Sequence, residues 1–455
     1  MRHRSLGQWV GWFVGRLAVV LALMVAGVVV TGWRAFGHRA TGTRRARMER
    51  SPQWKGGHFV NPQPLHNDLL GGLLALRDVS PDATPRSAVP VVRIARHHFD
   101  TLPASGLRVT WMGHSTSLIE IDGARVLTDP VWSERPSPLS WIGPKRYYPP
   151  LIAIDSLPNI AAVVISHDHY DHLDYQTVVA LTAKTNAMFI VPLGVAAHLE
   201  YWGVPLSRIV ELDWWESTTV QSLSITLTPA RHASGRTGVL DNDATLWGGF
   251  AMSGAEHRVY YSGDTGLFPA MNDIGTRLGP FDVTLIETGQ YHRAWPDWHI
   301  GPEQAVNANT RVQGKTMIPV HWGLFTLAMH SWTEPVERSV VAANLAHVPL
   351  LTPEPGQGVE PSLGLMQTRW WPTIPWQTAA QHPIVSSQVT RQRLAAALRR
   401  RTGRHSEQHD AASAPGALIG QKGPARTARK PYSIVRLKSP TFRTSSRSLS
   451  PLEPA

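Results

Sequence analysis

The sequence predicts an α/β fold of two β-sheets that face each other, with helices on their outer sides. Short strand-like segments recur along residues 107–323 of the 455-residue chain and form two strand-rich halves separated by helical segments. The apolar run AAVVI at residues 161–165 has no polar–apolar alternation, which is expected of a strand covered on both faces. A chain of this length with 42% hydrophobic residues can bury the cores that such a fold needs.

Local signals justify the individual elements. Turn residues bound the apolar runs, and Asp122-Gly123 is a hairpin signal between the second and third strands. Pro302 favours a helix start, because proline is tolerated in the first helical turn. The predicted strands cover residues 107–112, 115–121, 124–129, 161–166, 188–192, 222–230, 247–252, 257–264, 281–288 and 315–323. The predicted helices cover residues 175–184 and 302–312.

Composition divides the chain into four regions. Residues 106–375 carry the regular pattern and are predicted to form the folded domain. Residues 1–35 contain a hydrophobic segment, and residues 36–105, rich in Arg, Pro and Gly, are predicted to be a linker that wraps the domain surface. Residues 376–455 have few large apolar side chains and many Ser, Pro and basic residues, so we expect a basic, disordered tail.

The hydrophobic segment is predicted to be a membrane anchor. Residues 17–33 are uncharged and mostly apolar, and Arg16 can extend toward water so that residues 9–15 add length to a spanning helix. A cleaved signal peptide is the alternative, but the small-residue cleavage pattern after the run is poor. More arginines follow the run than precede it, which predicts that the folded domain lies on the cytoplasmic face.

The basic charge of the protein belongs to its two ends. Of the formal net charge of +11, residues 1–50 contribute +8, residues 391–455 contribute +11 and the middle of the chain contributes −8. A basic nucleic-acid-binding domain is therefore not predicted. The chain has no cysteine, so disulfides and thiolate ligands are excluded, and any metal ion must be bound by nitrogen and oxygen.

The strongest chemical signal is SHDHYDH at residues 166–172, which directly follows the apolar strand. Three imidazoles and two carboxylates crowd this short segment, and histidine is the commonest metal ligand. His167 and His169 alternate and can point the same way from an extended segment, whereas Asp171 and His172 can turn toward a neighbouring point. This arrangement predicts two metal ions, and a solvated polar loop is the alternative.

Three further candidates stand at predicted strand ends: His232, Asp264 in SGDTG and His321 in PVHWG. A single residue of this kind is more often a cap or a surface residue. Together with SHDHYDH, however, the three supply the full complement of ligands for two ions. Asp264 is the natural bridging ligand, because one carboxylate oxygen can serve each metal ion.

The order of these motifs is similar to that of the metallo-β-lactamase fold. Longer strings narrow the resemblance to the N-acyl-phosphatidylethanolamine-hydrolysing phospholipase D family over residues 95–350. They are WMGHSTSLIEIDGARVLTDPVWSERPSP, GPKRYYPP, ISHDHYDHLDYQTV, VPLG, ELDWWE, SGDTG and PVHWG. The resemblance implies an α/β fold of the αββα metallo-β-lactamase type, a four-layer sandwich with a dinuclear zinc centre in the cleft between the sheets.

The resemblance also implies the ligands of that centre. They are His167, His169 and His232 for one zinc ion, Asp171, His172 and His321 for the other, and Asp264 as the bridge between them. Two metal ions roughly 3.5–4 Å apart hold a hydroxide and clamp phosphoryl oxygens, so that no Ser or Cys nucleophile is needed. Mn²⁺ or Fe²⁺ would accept the same donors, so zinc follows from the family alone.

Other residues are expected around the ions. Asp129 in LTDP either accepts the free N–H of a ligating histidine or is a turn residue before a proline. His299 in WHIGPEQA matches a family histidine near the scissile phosphate and is a catalytic candidate together with Asp171 and Asp264, and its alternative role is a helix N-cap. His114 is expected to line the floor of the cleft.

The acyl-binding part of the cleft is expected in an aromatic-rich loop that holds Tyr291, His292 and Trp295. Just before it, residues 287–290 read ETGQ where the family has an apolar stretch, and this difference lies near the expected position of the leaving group. Trp214 and Trp215 are expected to be packing residues.

The sequence thus predicts a membrane-anchored, metal-dependent phosphodiesterase of phospholipase D type. It would hydrolyse N-acyl-phosphatidylethanolamine-like lipids to phosphatidic acid and an N-acylethanolamine. An alternative keeps the site but makes the protein a lactonase or phosphodiesterase for a soluble small molecule. A non-enzymatic tethering role for the basic ends does not explain a complete ligand set. The basic tail is expected to contact anionic lipid.

Overall fold

The computed structural model describes residues 5–364 and 369–387, which belong to one compact unit. The predicted tail from residue 388 onward lies outside the described residues. The helices of the described part are α1 (Leu6–Gly32), α2 (Gly42–Met48), α3 (Leu69–Ala75), α4 (Tyr175–Lys184), α5 (Ala196–Tyr201), α6 (Met271–Leu278), α7 (Pro302–Arg311) and α8 (Glu334–Ala346). The strands are β1 (Trp54–Lys55), β2 (His58–Phe59), β3 (Leu107–Trp111), β4 (Ser117–Ile121), β5 (Ala124–Thr128), β6 (Ala162–Val164), β7 (Met188–Pro192), β8 (Ile209–Leu212), β9 (Ser217–Val220), β10 (Leu223–Thr228), β11 (Gly249–Ser253), β12 (Arg258–Tyr261), β13 (Phe281–Glu287), β14 (Gly314–Val320) and β15 (Gly358–Val359).

Two large sheets and one small hairpin contain these strands. The first sheet has seven strands in the order β15-β3-β4-β5-β6-β7-β8, and the second has six in the order β14-β13-β12-β11-β10-β9. The strands from β5 to β8 are parallel neighbours in the first sheet, as are the strands from β12 to β14 in the second. The parallel parts matter for function, because the carboxyl ends of parallel strands lie at one edge of a sheet.

Alternation along the strands divides the core into layers. Val259 and Tyr261 of β12 belong to the main core, which also contains buried side chains of the first sheet, α4 and α5. Tyr260 between them belongs to a second core with side chains of α6, α7 and α8. Successive side chains of a strand point to opposite faces, so the second sheet is covered on both sides. Two sheets flanked by helices confirm the predicted fold class.

Each predicted strand overlaps an observed strand, which is usually shorter. The helix Tyr175–Lys184 and the strand Met188–Pro192 have the predicted bounds, and α7 ends one residue before the prediction. Asp122 and Gly123 have φ values of 47° and 84°, which is the positive-φ pair that a tight two-residue hairpin requires.

The sequence analysis did not identify β8, β9, α5, α6 or α8. Most of these elements are short, and contacts with neighbouring elements determine them more than periodicity does. In α8 the hydrophobic pattern is obscured because Arg338 is fully buried. Its guanidinium lies 2.8 Å from Glu303 and 3.3 Å from Glu334, so a charged side chain occupies a core position.

The buried carboxylate of Asp297 joins three distant parts of the chain. It accepts hydrogen bonds from the Arg231 guanidinium at 2.6 Å, from the His66 backbone N–H at 3.0 Å, and from the hydroxyls of Ser386 and Ser387 at 2.9 and 2.5 Å. The two serines lie beyond the predicted domain end at residue 375, so the packed part of the chain continues past that boundary. The predicted linker likewise contributes α2, α3 and the β1–β2 hairpin, which its composition did not reveal.

The N-terminal helix α1 is long and apolar enough to cross a membrane. The candidate span is Trp9–Gly32, 24 residues, and its apolar window is not buried within the protein. The helix starts well before the apolar run at residue 17 and ends one residue before Trp33. The residues before the run therefore extend the helix, as expected.

Replacing Asp297 with alanine is expected to lower the free energy of unfolding by about 3–5 kcal/mol, because a buried guanidinium would lose its carboxylate partner. Burial raises the pKa of Asp297, but Ser387 and Arg231 outweigh it and hold the pKa below its usual value. The contribution is therefore complete at neutral pH and is lost as the pH falls through the folded-state pKa.

Chemical denaturation of the full chain in detergent measures this change. Lys315→Ala is the control, because it removes an exposed ion pair with Asp282 and should cost less than about 1 kcal/mol. Equal effects of the two substitutions would contradict the role given to Asp297.

Candidate metal centre

Polar side chains follow the carboxyl ends of strands in both sheets. Because β5 and β6 are parallel, Asp129 and the loop 166–172 leave the same edge of the first sheet. In the second sheet β12, β13 and β14 are parallel, and β10 runs the same way because β10 and β12 are both antiparallel to β11. One edge of the second sheet therefore carries His232, Asp264 and His321. This edge meets the edge of the first sheet, and we call the line of contact between them the seam.

The first group at this seam consists of three histidines. His167 Nε2 lies 2.9 Å from His169 Nδ1, which lies 3.3 Å from His232 Nε2. The three nitrogens can be enclosed within 4.8 Å of one another, as ligands of a single ion must be. His167 and His232 are fully buried, and burial lowers the pKa of both well below the usual value. Both rings are therefore neutral, which is the form that binds a metal.

The second group combines a carboxylate with two histidines. Asp171 Oδ2 lies 3.3 Å from His172 Nε2 and 3.4 Å from His321 Nε2. Asp264 Oδ2 lies 3.1 Å from each of the same two nitrogens. Two carboxylate oxygens and two imidazole nitrogens thus converge, which is a donor set suited to a divalent cation.

A single oxygen of Asp264 faces both groups. Besides its contacts in the second group, Asp264 Oδ2 lies 3.9 Å from His167 Nε2 and 3.8 Å from His232 Nε2. Among the described residues, Asp264 Oδ1 is buried without a hydrogen-bond partner. Buried polar atoms normally have a partner, so this oxygen fits metal ligation.

The charges of the second group also fit a cation. Burial opposes the charged form of Asp171 and Asp264, but the neighbouring His172 and His321 hold the pKa of both carboxyls well below its usual range. In return, against the effect of burial, the carboxylates raise the pKa of His321 to about 10. In the protein alone, protons on the histidines balance the carboxylates, and a bound cation would replace those protons.

Hydrogen bonds to the outer ring nitrogens fix the ligand histidines. His232 Nδ1 lies 2.9 Å from the Trp298 carbonyl, and His167 Nδ1 lies 2.9 Å from Ser166 Oγ. A carbonyl accepts only, so His232 carries its proton on Nδ1 and presents the lone pair of Nε2 to the seam.

Asp129 is the main anchor of this surrounding layer. Its fully buried carboxylate lies 2.6 Å from His172 Nδ1, and it accepts hydrogen bonds from Ser166 N at 2.7 Å and from the Tyr261 hydroxyl. The residue has a φ of 32°, a conformation that non-glycine residues rarely adopt. The structure therefore places Asp129 against a ligand histidine, and its position before a proline is compatible with that role.

His299 lies beside the ligands, held by a residue that the sequence analysis did not identify. Its Nδ1 is 2.8 Å from Glu287 Oε2, and that carboxyl is also 3.4 Å from His321 Nδ1. Burial lowers the pKa of His299 to about 4, so the ring is neutral at physiological pH. Gly301 is the N-cap residue of α7, so His299 does not cap that helix. Glu287 opens the ETGQ segment, which was the only sequence signal for it.

Three of the predicted pocket residues lie behind the site. His114 is buried, with Nε2 3.0 Å from Asp171 Oδ2, and is not on the floor of the cleft. The Tyr291 hydroxyl donates to Glu334 Oε1 at 2.9 Å, because a buried hydroxyl needs an acceptor. His292 packs against Trp295, with ring centroids 4.7 Å apart.

A cleft of about 340 Å³ opens over the seam. Its lining contains the ligand side chains together with residues of the linker and of the aromatic-rich loop. The lining residues are Asn67, His169, Asp171, Asp264, Gln290, Trp295, Trp298, His299, His321 and Leu327. Sequence reasoning missed Asn67, Trp298 and Leu327, since nothing local connects them to the motif.

Replacing Asp264 with asparagine is expected to reduce bound metal, because the amide removes the negative charge that faces both groups. Elemental analysis of the purified full chain after dialysis measures the metal content. Asp273→Asn, on the exposed face of α6, is the matched control and should retain the wild-type content. Equal metal content in the two variants would contradict the assignment of Asp264 as a ligand.

Comparisons with known proteins identify a family domain and relatives to which this chain is similar. Residues 124–322 match the beta-lactamase superfamily domain. An uncharacterized protein of Mycobacterium tuberculosis is 48% identical over 334 residues, which are 72% of this chain and 89% of the relative. The N-acyl-phosphatidylethanolamine-hydrolyzing phospholipase D 1 of Caenorhabditis elegans is 36% identical over 301 residues, 61% of this chain and 83% of the relative. A solved metallo hydrolase from Ignicoccus hospitalis is 23% identical with a TM-score of 0.44, covering 56% of this chain and 97% of its own.

The family match spans the strands that carry the candidate ligands from Asp129 to His321. It thus covers both strand edges that meet at the seam. The chain therefore belongs to the beta-lactamase superfamily of metal-dependent hydrolases, in the family that includes the relative from Caenorhabditis elegans.

Proposed function

We propose that this protein is a membrane-anchored phosphodiesterase of phospholipase D type that uses two zinc ions. It would hydrolyse N-acyl-phosphatidylethanolamine-like lipids to phosphatidic acid and an N-acylethanolamine. The observation that carries this proposal is a cleft that joins the candidate metal ligands to an apolar mouth. The activity in the name of the relative from Caenorhabditis elegans supports the same class of substrate.

Apolar side chains line the cleft beside the ligands. Trp295, Trp298 and Leu327 belong to its wall, and Leu327 is 37% exposed, so part of the wall reaches the surface. Helix α3 packs beside this wall, since a Cβ on Gly72 would lie 3.4 Å from the Trp295 ring. An acyl chain that leaves the cleft on this side would therefore meet apolar surface.

Helix α3 carries an exposed leucine patch. We define the leucine patch as Leu69, Leu70, Leu73, Leu74 and Leu76, which are between 48% and 72% exposed. A contiguous apolar patch of this kind on a folded domain marks a contact with a membrane or a partner. Next to a cleft for a lipid, the membrane interior is the contact that these side chains fit.

The anchor helix ends beside the metal-binding loop. Thr31 and Ala35 line a cavity of about 310 Å³ together with Tyr170, which stands between two of the candidate ligands. With α1 in a bilayer, the loop would be held close to the membrane surface. The arginines after α1 favour the cytoplasmic face, where the basic tail would add contact with anionic lipid.

The proposed reaction is the attack of water on phosphorus. A bond forms between the water oxygen and phosphorus, the bond to the ethanolamine oxygen breaks, and that oxygen receives a proton. Two bound divalent ions would supply Lewis acidity and water with a pKa of about 7. Burial raises the pKa of Glu287 well above its usual value, so its protonated carboxyl donates to Nδ1 of His299 and leaves the Nε2–H of the ring to contact the phosphoryl group or the leaving oxygen. Trp295 and Trp298 would keep water away from the acyl side.

Full-length protein is expected to convert N-acyl-phosphatidylethanolamine in vesicles to equal amounts of phosphatidic acid and N-acylethanolamine, measured by mass spectrometry. His299→Ala should lower the rate roughly 10²–10³-fold while the metal content is retained, because it removes a hydrogen bond to developing charge. Asp273→Asn should match the wild type. If metal-loaded wild type leaves the lipid intact but cleaves a soluble ester or lactone, the soluble-substrate alternative replaces this proposal.

The double variant Leu69→Ser/Leu73→Ser is expected to lower the rate on vesicles at least about tenfold, because burial of each leucine contributes about 1.5–3 kcal/mol. The rate on a short-chain, water-soluble analogue should stay close to that of the wild type. Leu345→Ser is the matched control, since Leu345 is 79% exposed on α8, outside the leucine patch. An equal loss on both substrates would contradict the membrane role of the patch.

A further inference from the structure

The segment that follows the anchor helix is bound tightly to the domain. We define residues 34–38 as the juxtamembrane segment. The Trp202 indole N–H donates to the Arg34 carbonyl at 2.7 Å, and the His38 backbone N–H donates to His198 Nδ1 at 3.0 Å. Ala35 between them is buried. A plain tether between a membrane helix and a domain needs none of these contacts.

One buried arginine connects this segment to both ends of the metal-binding loop. Arg236 donates to the Ala35 carbonyl from Nε at 2.9 Å and from Nη2 at 2.7 Å. Its Nη1 donates to the Asp168 carbonyl at 2.6 Å and to the Leu173 carbonyl at 2.9 Å. Asp168 follows the first ligand of the loop and Leu173 follows the last, and the planar guanidinium fixes both relative to Ala35.

A second connection runs through His198. Its Nε2 lies 3.3 Å from Asp168 Oδ2, while its Nδ1 receives the backbone N–H of the juxtamembrane segment. The same carboxylate accepts from Gly235 N at 2.7 Å and from the Thr245 hydroxyl at 2.9 Å. Asp168 stands between the first two histidine ligands and is fully buried, so its position determines theirs.

Gly37 shows how closely the segment fits. It has a φ of 77°, and a Cβ at this position would lie 2.0 Å from His198 Nδ1. No side chain larger than hydrogen is compatible with the hydrogen bond between His38 and His198. The juxtamembrane segment and the metal-binding loop are therefore packed through the same side chains. A shift of the juxtamembrane segment must displace residues that contact the loop.

We propose that Arg236 and His198 are positioning residues that fasten the juxtamembrane segment to the metal-binding loop, so that this segment is part of the structure that holds the metal ligands. Loss of the Ala35 carbonyl would leave buried guanidinium donors without acceptors, and the loop would move to satisfy them. The inference rests on the metal centre of the proposed function but not on the lipid substrate.

Gly37→Ala in the full-length protein tests the proposal, with Gly42→Ala as its matched control. Both glycines have positive φ, 77° and 58°, but a Cβ on Gly42 would meet no described atom within 4 Å. Zinc affinity is measured by competition with a chromogenic chelator, and the ligand geometry by the visible spectrum of the Co²⁺ form. Gly37→Ala is expected to weaken zinc binding about 10–100-fold and to change the spectrum, with Gly42→Ala close to the wild type.

Equal zinc affinity of the two variants would overturn the proposal. Hydrogen exchange of the core strands shows whether Gly37→Ala folds. If it does not fold, Arg236→Lys decides the question, because lysine keeps the charge but cannot bridge three carbonyls. Weakened zinc binding and faster exchange in residues 167–173 support the proposal, and unchanged values refute it. Neither readout depends on lipid hydrolysis, so failure of the proposed substrate leaves this test valid.

Discussion

Two carboxylates at the seam, the partly buried Asp171 and the buried Asp264, set the requirement that the rest of this structure meets. A buried charge is tolerated only with a partner, and here the partners are imidazoles from both sheets. Each of these side chains lies in a segment that follows a strand, so the sheet fixes the backbone at the start of that segment. The positions of the donors are thus determined before any ion binds, which limits the reorganisation that metal binding requires.

Two further acids fix histidines in the same way, one layer further from the candidate metal positions. Asp129 holds His172 and Glu287 holds His299, and both acids stand at the end of a strand. Their carboxyl groups accept further hydrogen bonds from the backbone N–H groups of Ser166 and Thr265, so each acid is itself fixed. The orientation of the imidazole rings consequently depends on main-chain geometry and little on side-chain freedom.

The sequence predicted those parts of the site that are local in the chain. SHDHYDH is one uninterrupted string, and His232, Asp264 and His321 each end a recognisable apolar strand. It did not predict Glu287, which reads as the last residue of an ordinary strand. The role of a polar residue at the end of a strand can be assigned only from its long-range contacts, which here are with His299 and His321.

Dependence on long-range contacts also explains why several residues around the cleft were predicted incorrectly or not at all. Tyr291 stands in an aromatic-rich loop, which is a composition typical of a substrate pocket. Its hydroxyl, however, donates a hydrogen bond to Glu334, which belongs to a helix that was not predicted. Conversely, α3 brings the leucine patch to Trp295 from a segment whose composition indicated a linker. The two proposed attachments to the membrane would have different consequences. A single helix such as α1 can tilt in the bilayer, and the domain bound to it tilts with it, whereas a second apolar contact at α3 would hold the face with the cleft against the bilayer. A lipid headgroup can reach a cleft only if the face that meets the bilayer is the one with the opening, so the pairing of the two contacts, and not the anchor alone, is what a lipid substrate requires.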